Sequence, residues 1–173
     1  TDGPLPPREA AELTKKVADA VAYAHDHGVI HRDLKPANVL VNEDGLLKIV
    51  DFGVAAAASS GDTQLTKTGY VIGSPKYMAP EQILGKKVDE TADIYSVGVI
   101  MYEMVTGIPP YSRGDHMSVM YQHVQGKAKQ CQEVNPDIPD EYAAIIATAM
   151  SVDKTKRYQS MDELTAALDS LKL

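Results

Sequence analysis

The chain reads His-Arg-Asp-Leu-Lys-Pro-Ala-Asn at residues 31–38 and Asp-Phe-Gly at residues 51–53. The first stretch supplies a carboxylate, an ammonium group and an amide within six residues. The second stretch supplies another carboxylate beside a glycine that can form a turn. Together these groups can position a hydroxyl nucleophile and hold magnesium ions against a triphosphate, which is what phosphoryl transfer requires.

A third motif, Ala-Pro-Glu at residues 79–81, follows in the order and spacing of the eukaryotic-type protein kinases, which the chain resembles. The resemblance extends from near residue 4 to the C-terminus. The Pro-Ala-Asn form of residues 36–38 and the pair Ala24-His25 are most similar to bacterial Ser/Thr kinases.

The resemblance implies the large, C-terminal kinase lobe without the small N-terminal lobe. No G-x-G-x-x-G loop occurs, and only about thirty residues precede His31. We therefore predict a mainly α fold with a few short β-strands, and one kinase C-lobe over residues 1–173. Its expected parts are a catalytic loop (29–41), an activation segment (51–81) and a helical remainder (82–173).

The hydrophobic pattern predicts the same fold class. After a proline-rich loop at residues 1–7, apolar residues recur at helical spacing as far as about His27. Residues 91–106 are apolar nearly all round, which is typical of a helix buried in the middle of a domain. Further helices are expected at three places: 115–125, 142–150 and after a capping box at 160–163. Short strands are expected at three apolar runs: 29–30, 39–41 and 47–50.

Composition limits the class of protein. A length of 173 residues suits one domain with a sizeable core, and no apolar run is long enough to span a membrane. The net charge of −7 argues against nucleic-acid binding. The single cysteine, Cys131, excludes an internal disulfide and suits a reducing cytosol. We predict a cytoplasmic location, either as a free protein or as the cytosolic part of a membrane-anchored kinase.

The resemblance implies three catalytic residues. Asp33 would accept or orient the proton of the attacking hydroxyl, and Lys35 would place positive charge beside the transferred phosphoryl group. A lysine at this position is typical of Ser/Thr rather than tyrosine kinases. Ser74 stands where the family usually has a threonine that contacts the catalytic Asp and Lys, and it retains the hydroxyl.

The expected cofactors are ATP and Mg²⁺, with Mn²⁺ as an alternative metal. Asn38 and Asp51 match the family's magnesium ligands, and hard oxygen donors suit that cation. Lys35 would also contact the nucleotide. Leu40 matches the apolar floor under adenine, although a plain core residue fits its sequence context equally well.

Five further residues match structural positions of the family. His31 and Phe52 match an internal hydrophobic column, and Asp93 matches a buried aspartate that anchors the catalytic loop. Arg157 matches a late arginine that pairs with the glutamate of Ala-Pro-Glu, here Glu81.

The segment 55–73 is small and polar, and we expect it to be a long mobile loop. Within it, Thr66 and Thr68 resemble the autophosphorylation sites of bacterial Ser/Thr kinases, and Arg32 would receive the phosphate. The alternative is that these threonines serve only the solubility of the loop.

The leading hypothesis is a Ser/Thr protein kinase that transfers the γ-phosphate of ATP to protein hydroxyls, with the fragment alone inactive. The alternative is a non-catalytic protein-docking lobe. A small-molecule kinase is disfavoured by the complete Ala-Pro-Glu segment and by Arg157. The expected partners are protein substrates, the missing N-lobe, and a second copy of the chain through the apolar inter-lobe face near Leu40.

Overall fold

The computed structural model describes residues 4–50 and 75–171. Helices in that part are α1 (Pro7–Asp26), α2 (Pro80–Ile83), α3 (Glu90–Thr106), α4 (His116–Gln125), α5 (Cys131–Val134), α6 (Asp140–Ala149) and α7 (Met161–Asp169). The strands are β1 (Val39–Val41) and β2 (Leu47–Ile49), and short 3₁₀ turns lie at Pro36–Asn38, Pro75–Tyr77 and Lys154–Lys156. The predicted fold class, mainly α with a few short strands, is therefore confirmed.

The first helix, α1, begins at Pro7, the residue at which the proline-rich loop was expected to end. Pro7 occupies its first turn, where a missing N–H costs no intrahelical bond. Residues such as Val17 and Val21 are buried along one stripe of the helix. The chain leaves the helix at Gly28, whose φ of 77° lies in the left-handed region.

The central helix of the domain is α3. Fourteen of its 17 residues are buried, so it has almost no solvent-facing side, as its sequence predicted. It packs against α1 and against α6, and α1 packs in turn on α7. A Cβ at Gly98 would lie 2.8 Å from the Cβ of Ala149, so only glycine allows α3 and α6 to approach this closely.

The two strands form a small antiparallel sheet in which Val39 pairs with Ile49. The strand expected at Val29-Ile30 is not formed. The N–H of Val29 instead donates to the carbonyl of Ala24 at 2.9 Å, so it closes the end of α1 rather than joining a sheet. The prediction was wrong there because a two-residue apolar run carries no information on its hydrogen-bond partner.

The capping box predicted for α7 is shifted by one residue. The Ser160 hydroxyl accepts from the N–H of Glu163 at 3.1 Å, which is the expected half of the motif. The Glu163 carboxylate, however, accepts from the N–H of Gln159 at 3.0 Å, not from that of Ser160. Both contacts still satisfy N–H groups at the start of the helix.

None of the helices within residues 4–50 and 75–171 has the length and apolarity that crossing a membrane requires.

Candidate active site

Residues 31–38 of the predicted catalytic loop (29–41) lie between α1 and β1, and Asp93 holds them from the central helix. The fully buried Asp93 carboxylate accepts from the backbone N–H of His31 at 2.8 Å and of Arg32 at 2.9 Å. Arg32 has a φ of 70°, a conformation that a non-glycine residue adopts at a cost of about 1 kcal/mol or more. The two hydrogen bonds to Asp93 stabilise this strained turn.

A second buried side chain, His25 at the end of α1, also forms a hydrogen bond with Asp93. Its Nε2 donates to Asp93 Oδ2 at 2.8 Å, and its Nδ1 lies 3.9 Å from Glu90 Oε2. No role for His25 was predicted from the sequence. Its spacing of four residues from buried Val21 is the signal that could have placed it on the inner face of α1.

We predict that Asp93→Asn lowers the free energy of unfolding by about 1.5–3 kcal/mol, because one carboxylate oxygen becomes an N–H donor facing other donors. Urea unfolding measures the change, and Asp19→Asn, at an exposed position of α1, is the matched control. Equal stability of the two variants would contradict the anchoring role of Asp93.

His31 joins the loop to the end of β2. Its fully buried ring accepts from the N–H of Asp33 at Nδ1, at 3.1 Å. The proton therefore resides on Nε2, which donates to the carbonyl of Val50 at 2.9 Å. The His31 ring therefore fixes Asp33 relative to Val50, the residue directly before Asp51.

The structure brings Asp33, Lys35 and Asn38 together. The buried Asn38 amide donates through Nδ2 to the backbone carbonyl of Asp33 at 2.7 Å. Lys35 Nζ lies 3.7 Å from Asp33 Oδ2, and the two side chains are 29% and 14% exposed. An ammonium group and a carboxylate at the edge of solvent are thus held next to a fixed amide.

These groups fit a metal–nucleotide ligand. Because Nδ2 of Asn38 is engaged by Asp33, Oδ1 is the oxygen that the amide can offer to a hard cation such as Mg²⁺. Leu40, on β1, is 51% exposed and neighbouring Val41 is 50% exposed. Because adjacent strand residues point to opposite faces, each face of β1 exposes one of these apolar side chains.

The Glu81–Arg157 pair joins the start of α2 to the turn before α7. Arg157 Nη1 and Nη2 contact the two Glu81 oxygens at 2.6 and 2.7 Å, in the bidentate geometry that suits a carboxylate. The other donors reach the carbonyls of Ser151 (2.7 Å), Thr91 (3.1 Å) and Val152 (3.2 Å). All five guanidinium N–H groups are therefore used.

Gln82 links the Ala-Pro-Glu segment to the catalytic loop, a role that was not predicted from the sequence. Its Nε2 donates to the carbonyl of Arg32 at 2.8 Å, and its Oε1 accepts from the N–H of Ala79 at 3.1 Å. The Arg32 peptide is consequently held at its N–H by Asp93 and at its C=O by Gln82. No local pattern in the sequence distinguishes this glutamine from a surface residue.

The profile of the protein kinase domain matches residues 1–167 of the chain. The chain belongs to the protein kinase domain family.

Relatives of this kinase domain include bacterial serine/threonine-protein kinases. The serine/threonine-protein kinase PknB of Mycolicibacterium smegmatis is 38% identical over 168 residues, covering 97% of this chain and 27% of the relative. The probable serine/threonine-protein kinase PknB of Corynebacterium glutamicum is 40% identical over 174 residues, covering 98% of this chain and 27% of the relative. The serine/threonine-protein kinase PknB of Mycobacterium tuberculosis is 35% identical over 168 residues, covering 97% of this chain and 27% of the relative. The chain thus spans about a quarter of the length of these curated relatives.

Five of the predicted site residues lie outside the described part of the kinase domain: Asp51, Phe52, Thr66, Thr68 and Ser74. The expected loop at 55–73 lies outside it too. Over residues 4–50 and 75–171, no group of three or more His, Cys, Asp or Glu side chains is placed to hold a metal ion.

His123, on α4, connects the kinase domain's helical part to the turn at Pro75–Tyr77. Its Nε2 donates to the carbonyl of Lys76 at 3.0 Å, so its Nδ1 accepts from the Tyr95 hydroxyl at 2.6 Å. Burial lowers the pKa of His123 from 6.5 to about 4. The imidazole is therefore neutral at physiological pH and serves as a structural link.

This link predicts a pH dependence of stability. Between pH 6.5 and about 4, unfolded His123 binds a proton that the folded state does not bind, so the free energy of unfolding falls as the pH falls. The shift in pKa corresponds to about 3 kcal/mol across that window. Urea unfolding from pH 7 to pH 4 measures it. His123→Gln should show a shallower pH dependence, whereas His116→Gln, at an exposed position of α4, should keep that of the unmodified protein.

Proposed function

We propose that the protein carrying this chain is an ATP-dependent protein kinase that phosphorylates serine and threonine side chains of other proteins. The observation that carries this proposal is the joint placement of Asp33, Lys35 and Asn38 on a loop anchored to the central helix. The names of the bacterial relatives support the choice of Ser/Thr chemistry.

In the proposed reaction, Asp33 orients the substrate hydroxyl and accepts its proton as the oxygen bonds to the γ-phosphorus and the bond to ADP breaks. Lys35 stabilises the negative charge that shifts between the attacking and leaving oxygens. Asn38 and Asp51 would hold the divalent metal, and Ser74 would contact Asp33 and Lys35 through its hydroxyl. Bound Mg²⁺ would supply charge neutralisation at the phosphates.

We propose the domain arrangement predicted from sequence: a C-lobe over 1–173, with a catalytic loop (29–41), an activation segment (51–81) and a helical remainder (82–173). The exposed Leu40 supports it, because an apolar side chain at this position of β1 suits adenine and a covering lobe. On the other face of β1, Val41 lines an apolar cavity of about 270 Å³ together with Val17, Val39 and Met104.

A docking or self-associating role is the second candidate, and the exposed Leu40 side chain favours it. A second copy of the chain could cover Leu40 in place of an N-lobe. A sedimentation coefficient that rises with protein concentration would support this role if Leu40→Asp abolishes the rise. We place either role in the cytoplasm, because the lone Cys131 is a buried free thiol.

The experiment that tests the proposed function is incubation of the full-length protein with γ-labelled ATP, Mg²⁺ and a generic protein acceptor. Label on serine or threonine, lost when a chelator is added and restored by Mg²⁺ or Mn²⁺, supports the proposal. Absence of transfer under these conditions, or label on tyrosine alone, contradicts it.

The activation segment gives a further prediction. A phosphate on Thr66 or Thr68 would add nearly two negative charges, which the Arg32 guanidinium can bind bidentately. We expect the active protein to carry phosphate on one of these threonines, and the double alanine variant to lose most of its activity. Mass spectrometry checks the sites; phosphate elsewhere in the segment, with both threonines unmodified, would refute the assignment.

A further inference from the structure

A groove lies between the end of α2 and the turn that precedes α7. One wall contains Pro80, Leu84 and the following lysines, and the other contains residues 151–156. Its volume is about 820 Å³, which is in the range of binding sites for peptides and small molecules.

Buried contacts fix both walls of this groove. Arg157 binds Glu81 on one wall and the carbonyls of Ser151 and Val152 on the other. Lys154 adds a second connection, since its Nζ donates to the carbonyl of Lys87 at 3.3 Å and to Asp89 at 3.2 Å. The groove therefore keeps its shape without a ligand.

The groove combines an apolar floor with a basic rim. Leu84 is 51% exposed and Val152 is 40% exposed, although both are aliphatic. Lys86, Lys87 and Lys156 are exposed around them. This is a positively charged surface on a chain whose net charge is −7.

The acidic groups near the groove do not cancel this charge. Glu81 is bound to Arg157, and Asp89 is bound to Lys154. Asp153 lines the groove and accepts hydrogen bonds from Thr155, which lower the pKa of its carboxyl. The rim lysines thus outnumber the one remaining carboxylate.

We propose that this groove binds an acidic segment of a partner protein. One apolar side chain of the segment would pack between Leu84 and Val152, and its carboxylates would contact Lys86, Lys87 and Lys156. Charge complementarity selects this occupant, because a segment that matches the rim must be acidic while the floor requires a hydrophobic anchor. Nucleic acids and anionic membranes would use the lysines but not the floor.

The test uses a fluorescein-labelled peptide, Asp-Glu-Asp-Leu-Leu-Asp-Glu-Asp, and the full-length protein at 0.15 M salt, with binding followed by fluorescence anisotropy. We expect saturable binding that the triple variant Lys86→Glu/Lys87→Glu/Lys156→Glu weakens by about tenfold or more. A matched control, Lys48→Glu/Lys127→Glu/Lys129→Glu, changes the net charge equally at exposed lysines outside the groove and should bind as the unmodified protein does.

Two further comparisons separate the groove from bulk charge. Leu84→Ser should weaken binding, and so should replacement of both leucines of the peptide by serine. The proposal is overturned if the serine peptide binds equally well, if the control triple variant loses as much affinity, or if the labelled peptide does not bind. It is also overturned if heparin or phosphatidylserine vesicles bind the groove while the peptide does not.

Discussion

Asp33→Asn is expected to lower the rate of phosphoryl transfer by about 100- to 10,000-fold, the range that a positioned acid–base group contributes. Asparagine keeps the shape of the side chain but cannot accept the hydroxyl proton. The fold of the loop should survive, because Asp33 is held through its backbone N–H by His31 and through its carbonyl by Asn38. Labelled ATP and a protein acceptor measure the rate.

Two controls make this result specific to Asp33. Asp44→Asn places the same substitution at an exposed turn between β1 and β2, and it should leave the rate unchanged. The unfolding temperature of Asp33→Asn should stay close to that of the unmodified protein. Turnover within a few-fold of the unmodified protein would remove Asp33 from the catalytic residues.

Arg157→Ala is expected to lower the free energy of unfolding by about 3–5 kcal/mol, because it leaves the buried Glu81 carboxylate without its partner. The same change removes the hydrogen bonds that the backbone carbonyls of Ser151, Thr91 and Val152 accept. Urea unfolding monitors the loss. Arg113→Ala, at an exposed position, should change stability by no more than about 0.5 kcal/mol.

A double substitution distinguishes the effect of an unpaired buried charge from the effect of lost side-chain packing. In Glu81→Leu/Arg157→Met no charge is left buried without a partner, so the double variant should be more stable than Arg157→Ala. If Arg157→Ala unfolds at the same urea concentration as the unmodified protein, or if the double variant is the less stable of the two, the ion pair does not have the proposed role.

The sequence predicted those parts of the fold that local patterns encode. Residues 91–106 are apolar on all sides, and this pattern correctly placed α3 at the centre of the domain. The spacing of Val17 and Val21 correctly gave the inner face of α1. The short helices α2 and α5 were not predicted, because four residues are too few for a hydrophobic period to be recognised.

Contacts between distant segments were harder to predict, and family resemblance decided which of them were anticipated. The resemblance pointed to Asp93 and to the Glu81–Arg157 pair. It gave no role for Gln82 or His123, which donate to backbone carbonyls 50 and 47 residues away in the sequence. Such partners depend on how the helices pack, which no local window of sequence contains.

The Arg32 peptide, held at its N–H by Asp93 and at its C=O by Gln82, has a consequence for ligand affinity. A loop that adopts its binding shape only when ligand arrives must lose conformational entropy at that moment, about 1–2 kcal/mol for each backbone residue that becomes ordered. Here that loss accompanies folding of the helical core. The free energy of contact between Asp33, Lys35 or Asn38 and a nucleotide is then available for binding and for the transition state.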